Sequence, residues 1–404
     1  MKSEIRVAYI NQWFPKPSET FVFREVQTFK ELGVEVISFS LYGRFKHDLT
    51  KEMSSFADVE RIGIAGSINN CLSWVWQVFR QPARIRRLPR FQWDSPLKMV
   101  ENVWALFCGA RIARRCLELN VEHIHAPWAG SPATAALIAS RLSGIPFSFA
   151  ARAKDIRRPD KYLPEKLKSA SMIRVNTGAN LEFVRGLVGD QKDKVKLVYN
   201  ALTRQFELMR SSRTEVCRLL AVGRLVEKKG FDDLLNACVI LRDQGLSFHL
   251  KIAGDGPLRR GLKQQVIQLR LEQKVEFLGW VRHNQVSELF KDTDLMIAPS
   301  KLDRFGDRDG IPNVLIESLA CGTPVVACPV GGIEELVIDR HTGLLAKPGE
   351  PESIADCIRE MWDDADLANR TAQAGLHKVL EQFDPQANCT SLRSLFEACA
   401  PIDL

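Results

Sequence analysis

The feature that most limits what this 404-residue chain can fold into is an alternation, run through twice, of short Val/Ile/Leu-rich segments with helical ones. In the first half the strand-like runs are Ile5–Ile10, Val34–Leu41, Val121–His125, Phe147–Ala150, Met172–Asn176 and Val195–Tyr199. Helical spacing falls between them at 19–32, 97–119, 132–142 and 178–188, the first with Ser18 as cap and Gly33 as stop. The second half repeats the pattern with Arg218–Val222, Phe248–Ala253, Val275–Leu278, Leu295–Ala298, Pro324–Ala327 and Gly343–Ala346. Its helices lie near 230–244, 256–270, 284–292, 313–321 and 332–338, and three more helical stretches follow from about residue 352. Such runs alternating with helices predict parallel sheets covered on both faces.

The length suits two domains, and an apolar fraction of 45% supplies two cores. The apolar pattern lapses near Asn200–Ser212, so the expected division is an N-terminal domain 1–200, a C-terminal domain 201–375 and a helical segment 376–404. The fold class is α/β, with two Rossmann-like domains facing a cleft and the C-terminal helices packing back on the N-terminal domain. Ligands in such sheets bind outside the carboxyl ends of the strands, which directs attention to the loops there.

The N-terminus lacks the apolar core of a secretory signal, and no run has the length of a membrane span, so a cytoplasmic location is expected. The ten cysteines include no C-x-x-C pair and mostly sit in apolar segments, as reduced core residues do. The net charge of +7 is concentrated: Arg80, Arg84, Arg86, Arg87 and Arg90 lie beside Trp74, Trp76, Phe79, Phe91 and Trp93. Basic residues among aromatics suit an anionic membrane surface through 74–93, or else a solvated face. No nucleic-acid-binding motif accompanies them. The region around 42–95 is otherwise irregular.

Three loops hold candidate chemistry. Gly223-Arg-Leu-Val-Glu-Lys-Lys-Gly230 joins a strand to a helix and sets Arg224 and Lys229 near a positive helix end, a good diphosphate site. Gly254-Asp-Gly-Pro257 is a tight turn whose small residues let a ligand approach; its spacing is not that of a dinucleotide fingerprint. The richest runs from Ser300 to Glu317. There Pro312 suits a first helical turn, leaving the amides of Asn313, Val314 and Leu315 to meet an anion. Glu317, a turn deeper, can accept from paired ribose hydroxyls, and Asp309 stands just ahead of the helix, facing whatever the phosphates carry. Asp307-Arg-Asp309 offers a divalent-cation alternative, but two cations already suit the diphosphate and no metal is required.

The phrases GRLVEKKG, KIAGDGPLR, VEFLGWV, DLMIAPS and DGIPNVLIESLACGTPVVA resemble the donor-binding domain of retaining glycosyltransferase family 4, also called group 1. Its two glutamates separated by seven residues correspond here to Asp309 and Glu317. The resemblance implies the two-domain GT-B architecture. It gives Glu317 to the ribose, Arg224 and Lys229 to the diphosphate, Asp309 to the donor sugar and Trp280 to the base, with Gly254 and Gly310 lining the donor. Pro17-Ser-Glu-Thr-Phe21 resembles the P-x-SETF loop of members that build exopolysaccharides, which makes Ser18, Glu19 and Thr20 acceptor-side residues. The phrases VEHIHAPWAG and IPFSFAARAKDI fill the places of a His-containing strand end and a TAHAKDI-like segment, and Val198-Tyr-Asn200 that of the interdomain linker. His125 would line the cleft and His123 would be structural.

Two departures stand out. Asp309 replaces a glutamate, and Arg152 occupies the usual place of an active-site histidine. An arginine is no general base near neutral pH, but it can hold a carboxylate or phosphate, so Arg152 is expected to recognise an acidic donor or acceptor.

The family mechanism has the acceptor hydroxyl attack from the leaving group's face while the diphosphate takes its proton, with Arg224 and Lys229 stabilising the growing charge. The expected activity is metal-independent transfer of a hexosyl group, with UDP the likeliest nucleotide on family grounds and GDP or ADP as alternatives, to a glycan or lipid-linked acceptor in surface polysaccharide assembly. No cofactor is implied, since the nucleotide-sugar is a substrate. The enzyme is expected in the cytoplasm, peripheral on the inner face of the membrane. Competing readings are a non-catalytic nucleotide-sugar or glycan-binding homologue, a sugar-nucleotide epimerase of the same architecture, a phosphorylase and a nicotinamide-dependent dehydrogenase.

Overall fold

The computed structural model describes residues 5–43, 49–63, 67–80, 82–86, 88–90, 92–202 and 214–399. They form two compact units, Met1–Ala201 with Pro385–Leu404 and Leu202–Asp384. The first holds a sheet of β1 (Arg6–Asn11), β2 (Glu35–Ser40), β3 (Val59–Arg61), β4 (His123–Ala126), β5 (Phe147–Ala151), β6 (Met172–Val175) and β7 (Val195–Leu197). The second holds β8 (Cys217–Val222), β9 (Phe248–Ala253), β10 (Val275–Gly279), β11 (Leu295–Ala298), β12 (Val325–Ala327) and β13 (Leu344–Leu345).

All strand pairs run parallel. The orders are β3-β2-β1-β4-β5-β6-β7 and β10-β9-β8-β11-β12-β13. Each sheet therefore reverses direction once, between β1 and β4 and between β8 and β11. Those reversals open crevices at the carboxyl ends of the strands, where open α/β sheets bind ligands.

Central strands such as β11 and β12 are apolar throughout because helices cover both faces. In the first unit the helix Thr20–Glu31 turns Val22, Phe23, Val26 and Phe29 inward. The helix Ser131–Ser143 is buried on nearly every side. A Cβ at Gly109 would stand 2.5 Å from Ile138, so only glycine lets the helix Pro96–Glu118 press against it. Each such Val, Leu or Phe contributes roughly 1.5–3 kcal/mol by leaving water.

The last helix, Pro385–Glu397, returns to the first unit and packs Cys389, Leu392 and Phe396 against Val22, Val26 and Phe29. The helix before it, Ala365–Gln382, stays with the second unit, where Gly375 meets Leu319. The chain thus changes unit at Pro385, nine residues after the helical segment expected from 376 begins.

Two local expectations need correction. Ser18 lies in a single turn, Pro17–Glu19, and the helix starting at Thr20 has no side-chain cap. The stretch read as irregular contains β3 and the helix Ser67–Arg80. None of the ten cysteines is in a disulfide among the described residues, and seven of them are buried. Among the described residues no helix is long and apolar enough to cross a membrane.

Candidate functional site

In the second unit the loops after β8 and β11 flank the sheet's reversal and are knit together. Lys301 N donates to Lys228 O at 2.9 Å. Gly230 has φ +65°, and a Cβ there would stand 1.8 Å from Pro299 O, so the two loops can touch only through a glycine. The loop after β12 presses equally close, with Gly331 against the Asp309 carbonyl. Gly254 N donates to Gly279 O at 2.7 Å, which sets Trp280, 53% exposed, beside the loop after β9.

These contacts bring together residues nine to eighty-one positions apart. Lys229 Nζ lies 2.8 Å from Asp309 Oδ2, and Ser300 Oγ donates to the same oxygen at 2.9 Å. Lys228 Nζ is 3.1 Å from Asp307 Oδ2 and 3.6 Å from Asp309 Oδ1. Burial alone would push the Asp309 carboxyl up, but Lys229 and Lys228 outweigh it and hold it below the usual carboxylate range. Asp309 is therefore ionised and already paired. An ammonium has three N–H donors, so Lys229 can hold Asp309 and still offer donors to a phosphate oxygen. Arg224 is exposed on the same loop.

The helix Asn313–Ala320 begins four residues after Asp309, with Gly310 between them and Pro312 as its N-cap. Because Pro312 is the cap, its carbonyl accepts from Leu315 N at 3.0 Å. That corrects one expectation: the Leu315 amide is taken, and its side chain is in the core. The amides of Asn313 and Val314 precede the first helical hydrogen bond and are not taken by it. Glu317 is buried a turn further in.

In the first unit the turn Pro17–Glu19, the loop after β4 and the end of β5 converge. Glu19 joins Lys16 Nζ at 2.6 Å and accepts from Trp128 Nε1 at 3.0 Å. Ser18 is exposed and Thr20 half-buried. Arg152 is 3% exposed, its guanidinium 4.5 Å from the Phe21 ring centroid and 5.7 Å from that of Trp128. Its Nη1 donates to Asn200 Oδ1 at 2.8 Å, whereas Nε and Nη2 have no partner among the described residues. Burial, and then Arg174, push the guanidinium down to about 9, so it is still charged at neutral pH.

His125 does not line an opening. It is fully buried, with its ring 5.0 Å from Tyr9 and 5.1 Å from Phe396. His123 and His125 both meet Ser148 Oγ, at 2.7 and 2.8 Å. Burial pushes His123 down to about 3 and His125 well below its ordinary value, so both are neutral.

The sequence reading also missed two buried ionic clusters. Glu25 accepts from Tyr9 OH at 2.8 Å and pairs with Arg174, which reaches the carbonyls of Val198 and Tyr199. Lys166 Nζ donates to the carbonyls of Ala129 and Gly130 and to Asp160, while Asp155 accepts from Gly130 N at 3.2 Å. Together Lys166 and Asp155 clamp the loop after β4. Glu25 left a trace in the sequence, since it falls on the apolar spacing 22, 25, 26, 29. Lys166 and Asp155 left none.

Two doubly wound α/β units with a basic, glycine-tightened crevice in the second define the GT-B class of fold. The chain superposes over 98% of its length on all of HepE of Anabaena, solved with UDP and glucose, with TM-score 0.69 at 18% identity. Residues 211–378 match the family described as "Glycosyl transferases group 1". Among curated relatives, the putative colanic acid biosynthesis glycosyltransferase WcaL of Salmonella typhimurium is 33% identical over 180 residues, 44% of each chain. The amylovoran biosynthesis glycosyltransferase AmsK of Erwinia amylovora is 32% identical over 193 residues, 48% of this chain and 47% of its own. The match thus spans about half the length of these relatives.

Proposed function

We propose that the chain is a retaining glycosyltransferase that moves a hexosyl group from a nucleotide diphosphate, UDP first, to a hydroxyl of a glycan or lipid-linked acceptor in surface polysaccharide assembly. The observation that carries this reading is the pairing of Lys229 with Asp309 at 2.8 Å, just ahead of the helix Asn313–Ala320 at the reversal of the second sheet. A diphosphate there meets Lys229, Arg224 and the amides of Asn313 and Val314. Glu317 takes the ribose and Trp280 stacks on the base. The free lone pairs of Asp309 accept from the donor sugar, and Gly254 and Gly310 leave room for the ligand.

No metal or cofactor is needed, because the two cations and the helix end offset the charge that grows on the leaving diphosphate. The acceptor hydroxyl attacks from that same face and gives its proton to the diphosphate. Ser18, Glu19 and Thr20 serve the acceptor, and the buried, unpartnered Nε–Nη2 edge of Arg152 suits an acidic group on it. The acceptor is met at the inner face of the cytoplasmic membrane.

The test is release of UDP from a panel of UDP-sugars, with and without glycan acceptors. Turnover that disappears in Lys229→Ala and in Glu317→Ala is the expected result. Binding of the nucleotide-sugar without any turnover points instead to a non-catalytic homologue.

A further inference from the structure

The helix Ser67–Arg80 turns polar side chains inward beside Trp74 and leaves apolar ones outside. Its inward face carries Asn70, Ser73 and Gln77, all buried, while Leu72 and Val75 are 56% and 52% exposed. Ser73 donates to Asn69 O at 2.7 Å, but the two inward amides are poorly served. Asn70 Nδ2 reaches only the Cys108 sulfur at 3.8 Å, and Asn70 Oδ1 and both amide atoms of Gln77 have no partner among the described residues. A helix that ends in water normally does the reverse, burying its apolar stripe and exposing its polar one.

Its neighbour shares the habit. The helix Pro96–Glu118 contacts it through Trp74, whose indole donates to Phe107 O at 3.2 Å. At its start Leu97, Val100 and Val103 are 73%, 65% and 46% exposed, three apart along one strip, and Trp93 just before them is 76% exposed. Trp74 and Trp76 are half-buried, Trp76 beneath Arg114 at 6.0 Å, so the outward aromatic is Trp93. Phe91, Arg87 and the Phe79 side chain lie outside the described residues.

Exposed apolar strips of this kind mark an interaction surface, and the charge around them indicates its partner. Between Ser67 and Val100 the sequence has Arg80, Arg84, Arg86, Arg87, Arg90 and Lys98 against Asp94 alone. A protein interface of ordinary kind is depleted of charge at its centre and has a polar rim. Apolar strips beside one-sided positive charge instead suit the boundary between acyl chains and anionic headgroups.

We propose that the outer faces of the helices Ser67–Arg80 and Pro96–Glu118, together with Trp93, form a docking surface for an anionic lipid bilayer. The two helices lie in the headgroup plane, with Leu72, Val75, Leu97 and Val100 dipping into the acyl boundary and the exposed Arg80, Arg86 and Arg90 on phosphates. The surface holds the chain beside a lipid-linked acceptor, and in that sense it rests on the transferase reading.

The test is co-sedimentation of the full chain with vesicles of mixed phosphatidylcholine and phosphatidylglycerol, and with phosphatidylcholine alone, at low and high salt. The expected result is binding to the anionic vesicles only, weakened by salt. Binding should fall about fivefold for each arginine replaced by glutamine, the equivalent of about 1 kcal/mol. Leu72→Glu/Val75→Glu and Leu97→Glu/Val100→Glu should each reduce it more than tenfold while leaving UDP affinity and circular dichroism unchanged. Binding to neutral vesicles alone, no binding to either, or anionic binding that ignores these pairs overturns the proposal. So does a self-associated form in solution that the same pairs dissociate, since a second copy then covers the face. Lys229→Ala should keep full vesicle binding, which separates failure of this surface from failure of the donor site.

Discussion

Replacing each half of the Lys229–Asp309 pair in turn should move nucleotide affinity in opposite directions. The 2.8 Å contact places an ionised carboxylate on the ammonium that the diphosphate also needs. Lys229→Ala removes one charge-assisted hydrogen bond to phosphate, about 1.5–3 kcal/mol, which is roughly 10- to 150-fold in Kd for UDP. Asp309→Asn instead frees Lys229 from its competitor and removes a negative charge from beside the incoming diphosphate. The Ser300 hydroxyl still has an oxygen to meet, so the loop keeps its shape. UDP affinity should then be unchanged or up to about tenfold tighter. Sugar transfer should fall at least about a hundredfold, since Asp309 no longer accepts from the donor sugar in the transition state. Isothermal titration with UDP, beside UDP release from the preferred UDP-sugar, reads both quantities. If Asp309→Asn weakens UDP as much as Lys229→Ala does, the carboxylate only props the lysine and the division of roles is wrong.

Other consequences can be read separately. Gly230→Ala forces a Cβ into the Pro299 carbonyl at 1.8 Å; it should cost about 2 kcal/mol or more in urea unfolding and abolish UDP binding. Burial pushes the Asp155 carboxyl up to about 6, so its folded-state pKa lies above the unfolded value and its contribution is lost as pH rises from about 4 to 6. Asp155→Asn should therefore gain up to about 3 kcal/mol on the wild type between pH 4 and pH 7, and a flat difference across that range would contradict it. The buried His123 has the opposite sign: its folded-state pKa is depressed to about 3, so stability is present above about pH 6.5 and lost as pH falls. His123→Asn should remove up to about 3 kcal/mol of the loss seen by pH 4. Arg152→Gln should raise KM more than about tenfold for a carboxylate-bearing acceptor and leave a neutral acceptor's KM alone; equal effects on both would assign Arg152 to packing.

The second domain was readable almost strand by strand, because parallel strands buried on both faces appear as unbroken apolar runs such as Leu295–Ala298. That Asp309 and Lys229 meet on loops following strands, with Glu317 on the helix just beyond, was readable for a related reason: in a doubly wound sheet those loops flank the reversal of strand order. What failed was local in two cases and distant in two others. β3 spans only Val59-Glu-Arg61, with no apolar run to announce it. The Leu315 amide turned on whether Pro312 is a first helical residue or the cap, a difference of one position that decides which carbonyl captures it.

Both distant failures depended on tertiary partners. His125 stands at a strand end, where an opening is expected. It is sealed by Phe396 from a helix some 270 residues later. Lys166 and Asp155 look like surface charges until the loop after β4 folds onto them.

The most direct test of the central claim is thermal unfolding of the full chain with saturating UDP-, GDP- and ADP-sugars. A ligand held only by the native state at a hundred times its Kd adds about 2.7 kcal/mol. At least one nucleotide-sugar should raise the melting temperature of the second unit by about 5 °C or more, and the rise should vanish in Glu317→Ala. No shift with any nucleotide-sugar, or a shift that survives in both Glu317→Ala and Lys229→Ala, would contradict a donor site between Lys229, Asp309 and Glu317.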